Sequence, residues 1–277
     1  MYASNMMLNP LNPKHLQKLP HLKAHIVTLN LEDAIAPSRK KEALYNIAKV
    51  LEKSQDIKPK VVVRVNPLHL GGDKEIEFLN DFKFLGFRVA KVSSLEEIKK
   101  ALKLIKKDKE LHISLETKEA FYNIKRWKVD ERFKMANLGI LDLLNSFNLP
   151  QNLLNINNPT IEYILSKFLL DCKSVDILPV SFMYQDYNNL EEFTAWCNKE
   201  KLMGFESKAC MGPKQVEIAN KIFGISQDEI KRAKEIKEAF EKNAQNAQNG
   251  FMHEKYGFID EPIYKDALLV LKHANKL

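Results

Sequence analysis

The chain has 277 residues, 43 of them basic and 36 acidic, for a formal net charge of +7. Its apolar fraction of 45% and charged fraction of 29% are those of an ordinary globular chain, long enough to bury one large core. No run approaches the roughly 18 apolar residues of a membrane span. The segment Met1 to Leu19 is broken by Pro10 and Pro13, so no secretory signal is expected. Cys172, Cys197 and Cys210 are odd in number and widely spaced, which argues against a disulfide framework or a zinc site and for a reducing, cytoplasmic compartment.

Short β-branched runs alternate with amphipathic ones. Met6 to Leu8 is a poor first strand, and His25 to Leu29 the next. Ser38 to Lys53 is helical, with Ala43, Leu44, Ile47, Val50 and Leu51 on one face. Lys60 to Val65 is a strand, apolar almost throughout, as in a sheet covered on both faces. A helix over Ile76 to Leu85, a strand over Arg88 to Val92 and a helix over Glu96 to Lys107 follow. In that last helix the lysines fall opposite Leu102 and Ile105, which suits a solvated face better than a nucleic-acid strip.

Leu111 to Leu115 is a strand, with a helix through Trp127; Phe133 to Leu138 is another strand. Pro159 to Cys172 is a helix, Val175 to Leu178 a strand, Leu190 to Lys201 a helix, and Met203 to Met211 holds the last strand. This alternation predicts a parallel sheet with helical crossovers. The number of units predicts an α/β fold closed as a (β/α)8 TIM barrel over residues 1–212. Residues 213–277 form a helical extension: a helix over Pro213 to Phe223, then one begun by the capping-box pattern Ser226 to Glu229 and running to about Ala244. A polar linker over Asn243 to Gly250 leads to a last helix opened by Pro262.

In such a barrel the chemistry sits at the C-terminal ends of the strands. Glu116 follows one strand and Asp142 the next unit, so the two carboxylates can share one ion, and Mg2+ is commonly held in this way. The plainer alternative is that both cap the helices that follow. Arg64 interrupts an apolar strand and needs a carboxylate partner, either a ligand's or that of Glu32 or Asp33. No HExxH, GxSxG or phosphate-loop pattern occurs, and Leu70-Gly71-Gly72-Asp73 is a turn.

The ordered motifs resemble the HpcH/HpaI aldolase–citrate lyase β-subunit family. They are Leu31-Glu32-Asp33-Ala34-Ile35-Ala36-Pro37, Val63-Arg64-Val65-Asn66-Pro67, Leu115-Glu116-Thr117, Leu138-Gly139 with Asp142-Leu143, Gly204-Phe205 with Lys208, Pro213 and Gln215, and Ile259-Asp260-Glu261-Pro262. The resemblance implies a carbon–carbon lyase or aldolase acting on a small keto or hydroxy acid, with coenzyme A as a candidate part of the substrate. It implies Glu116 and Asp142 as Mg2+ ligands, Arg64 and Gly139 at the substrate, and Asp260 as an acid–base group reaching a neighbouring subunit's site. It also implies a homo-oligomer, a trimer or a hexamer built from trimers, with residues 251–277 packing on the neighbour.

The chain departs from the family pattern at Lys118 and Glu119, charged where small residues are usual, at Gly212 in place of a histidine, at Asn30 in place of an aspartate, and in the first turn, Met7 to Asn12. Bulk at Lys118 and Glu119 is expected to narrow the site. A catalytically degenerate relative that binds a small carboxylic acid is the alternative within the family, and a basic nucleic-acid-binding protein the alternative outside it.

Overall fold

The structure, a computed structural model, describes residues 2–53, 57–245 and 249–274. Eight parallel strands run β1 Ser4–Leu8, β2 Ile26–Asn30, β3 Lys60–Val65, β4 Gly86–Val89, β5 Glu110–Leu115, β6 Phe133–Leu138, β7 Leu178–Val180 and β8 Lys208–Cys210. Each of β1 to β7 pairs with its successor in sequence except β7, and β8 pairs with β1. The ring closes through one parallel bridge, Ser181 to Lys208, where Ser181 N donates to Ser207 O at 3.0 Å and Ala209 N to Ser181 O at 3.1 Å. This is the expected (β/α)8 barrel.

The helices are α1 Pro13–Lys18, α2 Lys40–Glu52, α3 Gly72–Leu79, α4 Leu95–Leu104, α5 Lys118–Asn123, α6 Ile140–Ser146, α7 Pro159–Lys173, α8 Leu190–Met203 and α9 Pro213–Phe223. Side chains alternate across each strand. On β3, Val61, Val63 and Val65 belong to the large cluster packed beneath the helices, while Val62 joins Ile26, Met135, Val180 and Ala209 in a smaller cluster. Polar residues sit next to that small cluster: Thr28 donates to Asn5 at 2.7 Å, Asn5 to Asn137 at 3.2 Å, and Arg88 to Ser114 at 2.8 Å. Buried polar groups persist only when paired in this way.

Several elements differ from expectation, each for a local reason. Gly71, at φ 101°, turns the chain so that α3 begins at Gly72 and ends at Leu79 rather than spanning Ile76 to Leu85. β4 covers Gly86–Val89 rather than Arg88 to Val92, because Lys91 leaves the sheet at φ 50°. β7 starts at Leu178, beyond a turn with Asp176 at φ 56°. The seven-residue α6 follows β6 directly; its short apolar run gives no helical signature.

The compact barrel unit extends to Phe223 rather than 212, because α9 packs on β1, β8 and α8 as the helix of the eighth repeat. The second unit begins at Gly224. It comprises α10 Gln227–Ala244, the antiparallel hairpin β9 Gly250–His253 and β10 Gly257–Asp260, and α11 Glu261–Ala274. Both halves of the Ser226–Glu229 capping box form. Ala233, Ile236, Phe240, Ile259 and Ala267 make this unit's own core, with Phe240 and Tyr264 stacked at 4.4 Å. The expected linker over 243–250 includes residues 246–248, which lie outside the described residues.

Candidate active site at the barrel mouth

The C-terminal ends of β2 to β6 deliver the charged residues. A cavity of about 300 Å³ there is lined by Asp33, Arg64, Arg88, Glu116, Asn137, Gly139 and Asp142, among others. Glu116 and Asp142 follow the paired strands β5 and β6, and both face this one cavity.

Local structure leaves both carboxylates available. Thr117, not Glu116, caps α5: its hydroxyl accepts from Ala120 N and donates to Val92 O at 2.8 Å. Asp142 lies in the first turn of α6, where an acidic residue is favoured, yet Gly139 occupies the cap position. Among the described residues Asp142 has no hydrogen-bond or ion-pair partner. Burial raises its pKa above the ordinary aspartate value, with Asp33 and Glu32 adding to the rise and Lys91 and Arg64 opposing it.

Glu116 is 3% exposed. Both of its oxygens lie 3.3 Å from Arg64 Nη2, and Oε1 also accepts from Lys91 N at 2.8 Å. Arg64 Nη2 is 2.9 Å from Glu32 Oε2, so the protein partner anticipated for this guanidinium exists, and Glu116 is a second one. Arg64 Nε and Asn137 Nδ2 are nevertheless buried donors with no protein acceptor. Two orphaned donors beside a cavity suit a ligand rich in oxygen acceptors, because unsatisfied buried donors are costly.

Lys91 also belongs to this charged cluster and was not singled out in the sequence. Its Nζ lies 2.9 Å from Glu32 Oε1 and 3.0 Å from Asp33 Oδ1. Burial lowers its pKa, but the bonds to Glu32 and Asp33 outweigh this and raise it overall. Burial raises the pKa of Glu32, and Arg64 and Lys91 oppose that rise. Arg88 is buried beside Arg64, and burial first and that neighbour second push its pKa down; it still carries its charge at neutral pH. Four carboxylates, Glu32, Asp33, Glu116 and Asp142, therefore meet three cations, Arg64, Arg88 and Lys91, and Asp142 is the one without a partner.

Among the described residues no group of three or more His, Cys, Asp or Glu stands ready to hold a metal by itself. A dication here would draw on Glu116, Asp142 and the oxygens of water and ligand, a set that fits Mg2+, which keeps several waters and takes one or two carboxylates. Lys118 and Glu119 are exposed and do not line the cavity, so they do not narrow it. Asp260 belongs to the second unit, where its Oδ1 accepts from Ile263 N at 3.3 Å and caps α11. The basic run on α4 and just after it is partly neutralised: Lys100 pairs with Asp73 at 3.1 Å and Lys106 with Asp81. No described helix is long and apolar enough to cross a membrane.

Residues 4–213 match the family described as HpcH/HpaI aldolase/citrate lyase. The (3S)-malyl-CoA thioesterase of Cereibacter sphaeroides is 27% identical over 237 residues, covering 84% of this chain and 81% of that protein. The mitochondrial citramalyl-CoA lyase of Rattus norvegicus is 24% identical over 286 residues, covering 95% and 83%. Among solved structures, a citrate lyase from Burkholderia xenovorans superposes with a TM-score of 0.86 at 16% identity, covering 100% of this chain and 92% of that one. The protein CitE from Mycobacterium tuberculosis, in complex with magnesium, acetoacetate and coenzyme A, superposes with a TM-score of 0.77 at 17% identity, covering 98% and 97%.

Proposed function

Because the chain belongs to the HpcH/HpaI aldolase/citrate lyase family, whose chemistry is of lyase and aldolase type, we propose that it is a Mg2+-dependent carbon–carbon lyase acting on a small keto or hydroxy acid, free or as a coenzyme A thioester. The observation that carries this reading is the unpartnered Asp142 carboxylate sharing a cavity with Glu116 and Arg64. The coenzyme A part rests on relatives whose names or complexes include it.

Cleaving a carbon–carbon bond beside a carbonyl leaves an enolate. Glu116 and Asp142 would hold Mg2+, which when bound would supply positive charge opposite that developing anion. Arg64 and Asn137, which line the cavity, carry the donors for the acid's carboxylate or carbonyl oxygens. Lys91 and Arg64 hold Glu32 and Glu116 in place. Gly139 leaves room for the Glu116 carboxylate at the cavity edge. Asp260 is assigned the proton transfer, acting in a neighbouring copy's cavity within a homo-oligomer. Asp260 is assigned the role of base in the condensation direction.

Thermal unfolding with Mg2+ and oxaloacetate, glyoxylate or pyruvate tests the metal assignment. Ligand at one hundred times its Kd stabilises the wild type by about 2.7 kcal/mol, and a Glu116→Ala/Asp142→Ala double variant shows no shift. Equal shifts in both proteins defeat the assignment. For Asp260, mixing inactive Glu116→Ala and Asp260→Ala proteins regenerates activity through hybrid oligomers; a strictly monomeric mass by light scattering removes Asp260 from the mechanism.

A further inference from the structure

A second cavity of about 490 Å³ adjoins the charged one, and the two share Met7, Asn30, Ala34 and Met183 in their linings. Away from the charged residues its wall is Met6, Leu8, Leu22, Met211 and Pro213, closed on one side by Tyr187. Gly212 makes that wall possible: a β-carbon there would lie 2.5 Å from Tyr187 Cε2, so the ring packs directly on the bare backbone. His15 and Lys18 are the basic residues of the lining.

The geometry points to an apolar annex that receives a hydrocarbon chain carried by the acid substrate. The inference rests on the proposed keto- or hydroxy-acid site, since the acid's polar end must be held beside Arg64 for its chain to enter. Such an arrangement of a few convergent polar groups beside an apolar chamber orients an amphipathic ligand. A hydrocarbon chain asks for no hydrogen-bond partners there, whereas the amides of a pantetheine arm do. The oxygens of its asparagines are already engaged: Asn9 Oδ1 accepts from Leu11 N at 2.8 Å and Asn30 Oδ1 from Glu32 N at 3.2 Å. The His15 ring is hydrogen-bonded to Asn12 at 3.1 Å.

Calorimetric titration of the full chain in Mg2+ with a 2-oxo acid series, pyruvate through 2-oxooctanoate, tests this. Affinity should tighten about fourfold per added methylene, the equivalent of ~0.8 kcal/mol, until the annex is filled. Met211→Glu, which places a carboxylate on the wall, should flatten this dependence. A flat series with pyruvate binding intact overturns the annex and leaves the proposed function standing. So does binding of pantetheine or coenzyme A that Met211→Glu abolishes while chain length has no effect. If no member of the series binds, the annex falls, and the proposed function is confined to hydroxy acids or coenzyme A thioesters.

Discussion

The carboxylate of Glu116 lies against the bare α-carbon of Gly139: a β-carbon there would sit 2.6 Å from Glu116 Oε2 and 2.8 Å from its Cβ. The glycine at the end of β6 thus sets where the acidic group at the end of β5 stands. Gly139→Ala should cost about 1–3 kcal/mol, as overpacking does, and should sharply weaken Mg2+-dependent acid binding by displacing Glu116. Denaturant unfolding and ligand-induced thermal shifts measure the two effects. A variant that keeps the full ligand response would show that the placement of Glu116 is immaterial.

Lys91 uses a left-handed backbone, φ 50°, to aim its N–H at Glu116 and its ammonium at Glu32 and Asp33. Asparagine tolerates that backbone but brings no charge. Lys91→Asn should therefore lower the melting temperature, and Mg2+ alone should recover more of the loss than it adds to the wild type, because a dication can neutralise the carboxylates that the ammonium leaves. Equal Mg2+ responses in the two proteins would separate Lys91 from the ion's environment.

Lys208 and Glu200 are wholly buried and 2.6 Å apart, with the ammonium 3.7 Å from the centre of the Phe182 ring. Removing one partner strands the other, at about 3–5 kcal/mol, so Lys208→Met should be strongly destabilised at pH 7. Burial already raises the Glu200 pKa, with Lys208 opposing the rise, and without the lysine it rises further. The folded variant then holds a proton that the unfolded chain releases, so its stability should improve as pH falls from 7 toward about 4.3, the ordinary glutamate value. Adding Glu200→Leu should restore stability and abolish the pH dependence. A loss independent of pH would mean that packing alone is at fault.

The Ser226 hydroxyl accepts from Glu229 N at 3.1 Å, and Glu229 returns a carboxylate to Ser226 N at 2.7 Å. Ser226→Ala should cost about 0.5–2 kcal/mol, confined to the second unit. Amide exchange should quicken along α10 and α11 while the barrel strands keep their protection; a uniform change would make the two units one cooperative block.

The barrel was legible in sequence because its strands are covered on both faces and so appear as apolar runs; β3 and β6 were placed to the residue. Arg64 stood out as a cation inside such a run. Lys91 did not, because the strand around it was expected to continue to Val92 and would have placed it within the sheet. Asn137 and Arg88 lie inside strands whose neighbours dominate the pattern, and only barrel closure shows that they point inward. The β9–β10 hairpin escaped notice because it packs one sided and shallow, leaving Met252 and Phe258 exposed. Asp260 was placed correctly before its helix, but sequence and fold alike leave its reach to another copy as a proposal.

The ring of strands is unevenly knit. Between β2 and β6 each ladder has four or five residue pairs in register, whereas β7 and β8 are three residues long and meet at the single Ser181–Lys208 bridge. Glu116, Asp142 and Arg64 stand on the well-stitched arc; Met183, Met211 and Gly212 stand beside the seam. One side of the mouth is therefore stiff enough to hold charge in fixed positions, while the other can yield to guests of different girth without unpicking the ladders that carry the acids.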